Sequence, residues 1–223
     1  MSYPLFGAFI AALVTAGLLW MTLPFALRVG MVDKPGGRKD HSVPTPTIGG
    51  VAIAIGLFAA SFLFGQPDRA LLSLFAAGSM LLVVGALDDQ YDVRWYWRVL
   101  AQVAAALILI FWGEVRVSHI GPLLGSSPFE LGLWSVPFTV LGTVGVINAI
   151  NMCDGVDGLA GVVCTAALMM LGITALYAGN TELLAQVEPM LGALLAFLLF
   201  NMRSPWVKRH RTRYKNVQRA GSR

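Results

Sequence analysis

The sequence predicts an all-α integral membrane protein. Hydrophobic residues make up 57% of the chain against 13% charged, mean hydropathy is +0.70, and the apolar residues are gathered into long runs. A soluble domain carries about 25% charged residues, so this chain lacks the polar surface to cover itself in water. A bilayer core demands about 20 apolar residues per helix, and most of the runs are near that length.

Seven such runs can be drawn, near 5–28, 48–65, 70–87, 99–112, 135–151, 159–178 and 188–202. The first is too long for a signal-peptide core and has no positive charge before it, so it is expected to be retained as a span. Inside a bilayer each backbone amide needs an internal partner, which makes the runs helices. The fourth is short, but Trp95, Tyr96 and Trp97 before it read as an aromatic interfacial belt. Between Glu114 and Trp134, Val115-Arg116-Val117 and Phe129-Glu130-Leu131 flank a Gly-Ser-Ser-Pro turn. That stretch predicts a short external β-hairpin near 114–134. Cys153 and Cys164 form no disulfide framework or metal-ligand spacing, and packing is their expected role.

Charge sets the orientation. With the first connection in the cytoplasm, that side holds Arg28, Lys34, Arg38, Lys39, Arg94, Arg98 and every Lys and Arg from Arg203 to Arg223. The other side keeps only Arg69 and Arg116, an asymmetry of fourteen to two. The positive-inside rule then puts the N-terminus outside and the C-terminus in the cytoplasm of a multi-pass inner-membrane protein. His119 falls outside and reads as surface.

Alternation of the spans brings three polar clusters to the cytoplasmic face. The first is the loop from Asp33 to Gly50, with Lys34, Arg38, Lys39 and His41 set among prolines and glycines that prevent a helix. Four cationic or potentially cationic side chains suit an anionic ligand. Charge alone does not separate that reading from a solvated loop that merely sets topology. The second is Asp88-Asp89-Gln90-Tyr91-Asp92 at the end of the third run. If that helix continues, Asp92 shares a face with Asp88 and Asp89. Carboxylates there oppose the helix dipole and cost up to about 3 kcal/mol each if drawn into the core. A divalent metal, or Arg94 and Arg98, would offset that; the plainer reading is an interfacial acidic turn.

The third cluster places Asn148, Asn151, Asp154 and Asp157 at every third position, followed by Gly158 and Leu159. On a helix such a set drifts slowly around one face. Gly155 and Gly158 would then loosen its end and let a ligand approach. One capped helix end explains a single such residue but not four. Carboxylates and amides without thiols favour a hard cation such as Mg2+. Together these residues suit transfer between phosphate-bearing substrates, where charge stabilisation dominates. An ion-coupled transporter also carries acids in helices, but near the midplane rather than at the helix ends.

In order and context the three clusters resemble those of the polyprenyl-phosphate N-acetylhexosamine-1-phosphate transferases (glycosyltransferase family 4). The matching motifs are Asp33-x-Pro35-x-x-Arg38-Lys39-x-His41-x-x-Pro44-x-Pro46-x-x-Gly49-Gly50, Asp88-Asp89-x-x-Asp92, and Asn148-x-x-Asn151-x-x-Asp154-Gly155-x-Asp157-Gly158-Leu159. The resemblance spans about residues 1–205, expected as one membrane-embedded domain. It implies transfer of a sugar 1-phosphate from a UDP-sugar to polyprenyl phosphate, with release of UMP and a requirement for Mg2+. That reaction would be the first membrane step of cell-envelope glycan synthesis. The Arg-Lys-x-His form of the first loop resembles the N-acetylglucosamine branch more than the muramoyl-pentapeptide branch.

Carried over position by position, the resemblance makes Asp88 and Asp89 candidate catalytic acids and Asn151 a candidate Mg2+ ligand. Asp154 and Asp157 match residues near the nucleotide. Lys34, Arg38, Lys39, His41, Asp92 and Asn148 complete the substrate-binding set. A homodimer is a further expectation, and nucleic acid is not an expected partner. After Phe200-Asn201-Met202-Arg203 the family continues with a Gly-Asp-Ala-Gly-Ser type motif and more helices. Here a basic stretch follows, in which the last 17 residues hold seven Lys or Arg and no acid. The expectation is a truncated or frame-shifted chain with 206–223 as a non-family cytoplasmic tail, with little or no activity by itself; a tail touching anionic lipid is the plainer alternative. The rivals from other classes are a non-catalytic subunit that holds polyprenyl phosphate or a partner transferase, and a small transporter.

Overall fold

A computed structural model describes residues 5–29, 32–33, 45–46, 49–64, 68–122, 128–153 and 158–203. The helices are α1 (Phe6–Val29), α2 (Gly49–Phe64), α3 (Arg69–Tyr91), α4 (Trp95–Phe111), α5 (Ser135–Cys153), α6 (Leu159–Tyr177) and α7 (Thr181–Arg203). Two short antiparallel pairs join them: β1 (Val32–Asp33) with β2 (Thr45–Pro46), and β3 (His119–Ile120) with β4 (Phe129–Glu130). A 3-10 turn, Gly132–Trp134, leads into α5. Each of the seven apolar runs is thus a helix. Four stretches, Arg69–Asp88, Gly132–Cys153, Leu159–Tyr177 and Thr181–Asn201, are long and apolar enough to cross a membrane, while α1, α2 and α4 contribute shorter apolar segments. The chain is an all-α, multi-pass membrane protein.

Three boundaries differ from the sequence reading, each for a local reason. Helix α4 starts at Trp95, so Trp95, Tyr96 and Trp97 form its first turn instead of preceding it. Helix α7 begins at Thr181, because Asn180 Oδ1 accepts the Leu183 N–H at 3.0 Å and caps the helix start. The hairpin near 114–134 is present, but its first arm is His119–Ile120, not Val115–Val117. Val117 is bonded to the start of α5 instead: Thr139 Oγ1 accepts its N–H at 3.0 Å and Ser135 Oγ donates to its carbonyl at 2.6 Å.

The chain divides into two compact units, residues 1–65 with 153–223, and residues 66–152. In the first, α1 packs between α2 and α7 through small side chains: Ala11, Ala60 and Ala193 are fully buried, with Ile10 and Ile53 against them. Lipid gives helices no hydrophobic drive to associate, so close backbone approach through small residues must hold them. A Cβ on Gly56 would meet Thr15 Oγ1 and, at 2.8 Å, the Ala11 carbonyl oxygen. One on Gly192 would run into the backbone of Ala8. Pro189 lies inside α7, and Gly7 of α1 leaves room for its ring. Glu188 Oε2 accepts the Leu5 N–H at 3.2 Å, placing a carboxylate at the N-terminus of α1, where the helix dipole favours it.

In the second unit α3 and α4 form an antiparallel pair. Asp68 caps α3, its Oδ1 accepting the Leu71 N–H at 2.8 Å. Arg69 and Glu114, both well exposed, pair at 3.5 Å at one end of the two helices. Gly113 sits against Ser73, where a Cβ would clash with the Ser73 hydroxyl. The opposite end of this pair carries the acidic cluster.

Candidate functional site

Helix α3 stops at Tyr91 and Asp92 is its cap, in the left-handed region at φ 50 and ψ 61. The Asp92 N–H still reaches the Asp88 carbonyl at 3.0 Å, closing the last turn. The helix does not continue, so the shared face expected for Asp88 and Asp92 is not formed. A positive φ swings the Asp92 Cβ off the helical row, and its side chain is exposed.

Asp88 points to α4. Its Oδ2 accepts from Arg98 Nη1 at 3.0 Å, with the carboxylate 21% and the guanidinium 42% exposed. This is the cation the acidic cluster called for, held on the first turn of the next helix. Arg94, the other candidate, instead donates to the Tyr96 hydroxyl at 3.4 Å. A charge-assisted bond of this length is stronger than a neutral one and fixes the direction of the carboxylate.

One turn further along α4 is Gln102, 7% exposed. Its Oε1 accepts from Asn148 Nδ2 on α5 at 2.7 Å. Arg98 and Gln102 are four residues apart, so they share a face of α4 with about 6 Å of rise between them. One side of one helix therefore holds both Asp88 of the second cluster and Asn148 of the third. Asn151 lies about 60° around and about 4.5 Å further along α5, exposed.

Gln102 was not singled out in the sequence, yet a signal was there. It is the only polar residue between Val99 and Phe111, and a polar group within an apolar helix needs a partner.

Helix α6 starts at Gly158, whose φ of 80 is the left-handed conformation that favours glycine. Asp154 and Asp157 stand between α5 and α6 in sequence, outside the described residues. So do Lys34, Arg38, Lys39 and His41, which follow β1 in the other unit, and the side chain of Asp89. Among the described residues no three His, Cys, Asp or Glu side chains gather as a metal cluster. The donors that are described, Asp88, Asn148 and Asn151, offer carboxylate and carboxamide oxygens without thiol or imidazole, a set that fits a hard divalent cation in kind.

Comparison with known proteins agrees with the motif resemblance. The family model described as Glycosyl transferase family 4 matches residues 71–207. The undecaprenyl-phosphate alpha-N-acetylglucosaminyl 1-phosphate transferase of Escherichia coli (strain K12) is 32% identical over 194 residues, which is 85% of this chain and 52% of that protein. The protein of the same name from Salmonella typhi is 29% identical over 194 residues, with the same two coverages. That from Pasteurella multocida (strain Pm70) is 36% identical over 132 residues, 57% of this chain and 34% of the relative. The chain spans about half the length of the curated relatives it matches.

Proposed function

Because the chain belongs to glycosyl transferase family 4, we propose that it serves in transfer of N-acetylglucosamine 1-phosphate from UDP-N-acetylglucosamine to undecaprenyl phosphate, releasing UMP. The acceptor phosphate oxygen would bond to the β-phosphorus of the donor. The bond from that phosphorus to the α–β bridging oxygen would break, and UMP would leave with the electron pair. A phosphate monoester has its second pKa near about 6, so the acceptor is already mostly dianionic at pH 7. A general base is then less needed than charge neutralisation and positioning.

The observation that carries this reading is the α4 face on which Arg98 orients Asp88 while Gln102 holds Asn148. It joins two of the three family motifs in one place. Asp88 and Asp89 are proposed to act on the phosphates or their counter-cation, and Asn151 to present an oxygen to the cation. Lys34, Arg38, Lys39 and His41 would bind phosphate, with Asp154 and Asp157 near the nucleotide. Mg2+, when bound, would neutralise the two anionic substrates as they approach. We place the site on the cytoplasmic face of the inner membrane, with the N-terminus outside and residues 206–223 as a basic cytoplasmic tail, on the fourteen-to-two charge asymmetry.

The test is UMP release by the purified chain in nanodiscs with undecaprenyl phosphate and Mg2+. UDP-N-acetylglucosamine and UDP-N-acetylmuramoyl-pentapeptide are offered separately. Little release is expected from the chain by itself, and what there is with the first donor only. Release with the second only would reassign the donor. Tight binding of undecaprenyl phosphate without UMP from either donor would favour a non-catalytic lipid-binding subunit.

A further inference from the structure

Asn148 donates two hydrogen bonds from the same nitrogen, to Gln102 Oε1 at 2.7 Å and to the Val144 carbonyl at 2.8 Å. A carboxamide nitrogen has only two hydrogens, so both are used. The orientation of the amide is not arbitrary either. The Val144 carbonyl can only accept, and turning the amide over would set two oxygens against each other. Nitrogen therefore faces Val144 and Gln102, and among the described residues no donor reaches Asn148 Oδ1.

We infer that Gln102 is a positioning residue that fixes the Asn148 carboxamide so that Asn148 presents only Oδ1 to the site, as an acceptor for an electropositive group of the donor complex. This rests on the functional reading above and adds to it. Asn148 cannot bind a phosphate oxygen, since its N–H groups are spent. It suits either a hard cation or an N–H or O–H of the nucleotide sugar. The pair also joins α4 to α5, and a polar contact between apolar helices can be simple glue. The two roles differ in what they make a ligand feel.

The experiment uses the purified chain in nanodiscs with two titrations. Mn2+ is followed by electron paramagnetic resonance as a stand-in for Mg2+, and UDP-N-acetylglucosamine by calorimetry. Asn148→Ala should weaken one of them by about tenfold, which identifies the group that meets Oδ1. Gln102→Leu should weaken the same titration by about fivefold. The double variant should be no worse than Asn148→Ala, because Gln102 acts through Asn148. Gln102→Glu keeps an acceptor in either protonation state and should restore binding to within about threefold of wild type.

Asn148→Asp tests the point independently of whether Gln102→Leu folds. It keeps the ligand oxygen and adds negative charge, but it sets an oxygen against the Val144 carbonyl. Weaker Mn2+ or nucleotide-sugar binding is expected. Tighter binding would overturn the inference, as would a Gln102→Leu protein that melts earlier yet binds both ligands normally. A wild-type chain that binds neither ligand would instead defeat the functional reading itself.

Discussion

Arg98 meets Asp88 at 3.0 Å across the connection between α3 and α4, so the first turn of one helix supplies the cation for the last turn of the other. Only residues 92–94 separate the two helices, and the left-handed Asp92 makes that tight reversal feasible. The pair sits where both charges retain some solvent, which lowers the desolvation cost of a carboxylate at a helix C-terminus.

If Arg98 orients Asp88, Arg98→Ala should lower the rate of UMP release by about ten- to a hundredfold. Arg98→Lys should recover part of it, since a point charge remains but the planar fork does not. Steady-state kinetics on the two variants checks this. A wild-type rate in Arg98→Ala would mean that Asp88 needs no partner.

The small-residue packing of the first unit predicts an asymmetric response to added side chains. Gly192→Val should destabilise the chain by about 1–3 kcal/mol, because its new atoms would run into the Ala8 backbone. As a control, Gly78→Ala on α3 of the second unit meets nothing within 4 Å and should leave stability unchanged or slightly raised. Thermal unfolding in detergent compares them, and equal melting temperatures would refute the close-packing account.

Much of this architecture was legible in the sequence. A membrane helix announces itself by length and apolarity, so the seven helices among the described residues could be placed from composition along the chain. What escaped were features set by single side chains. Asn180 moved the start of α7 back to Thr181, the cap at Asp92 took that residue off the helical face, and Ser135 and Thr139 claimed Val117 from the hairpin. In the candidate site, Asp88 and Asn148 were visible as motif residues. Their link through Arg98 and Gln102 was not, because it depends on which face of α4 meets α3 and α5.

Orientation can be checked with reporter fusions. The charge asymmetry predicts that alkaline phosphatase fused after Gly179, in the turn between α6 and α7, is active, and that a fusion at the C-terminus is inactive. The reverse pattern would place Asp88 and Asn148 on the outer face and remove the access to cytoplasmic UDP-sugar that the proposed reaction requires.

Roles within the third cluster should separate in kinetics. Asn151→Ala should raise the Mg2+ concentration needed for half-maximal rate several-fold, as loss of one oxygen ligand would. Asp154→Asn should instead raise the KM for the donor. Unchanged Mg2+ dependence in Asn151→Ala would take Asn151 out of the cation's shell.

The most direct test follows the phosphorus. The chain in nanodiscs containing undecaprenyl phosphate is given UDP-N-acetylglucosamine labelled with 32P at the β-phosphate, with Mg2+. Label should appear in the lipid fraction in step with UMP release, and Asp88→Asn should reduce both by at least about a hundredfold. Label that stays water-soluble although both substrates bind, or an Asp88→Asn protein that transfers it normally, would contradict the assignment of this site to sugar 1-phosphate transfer.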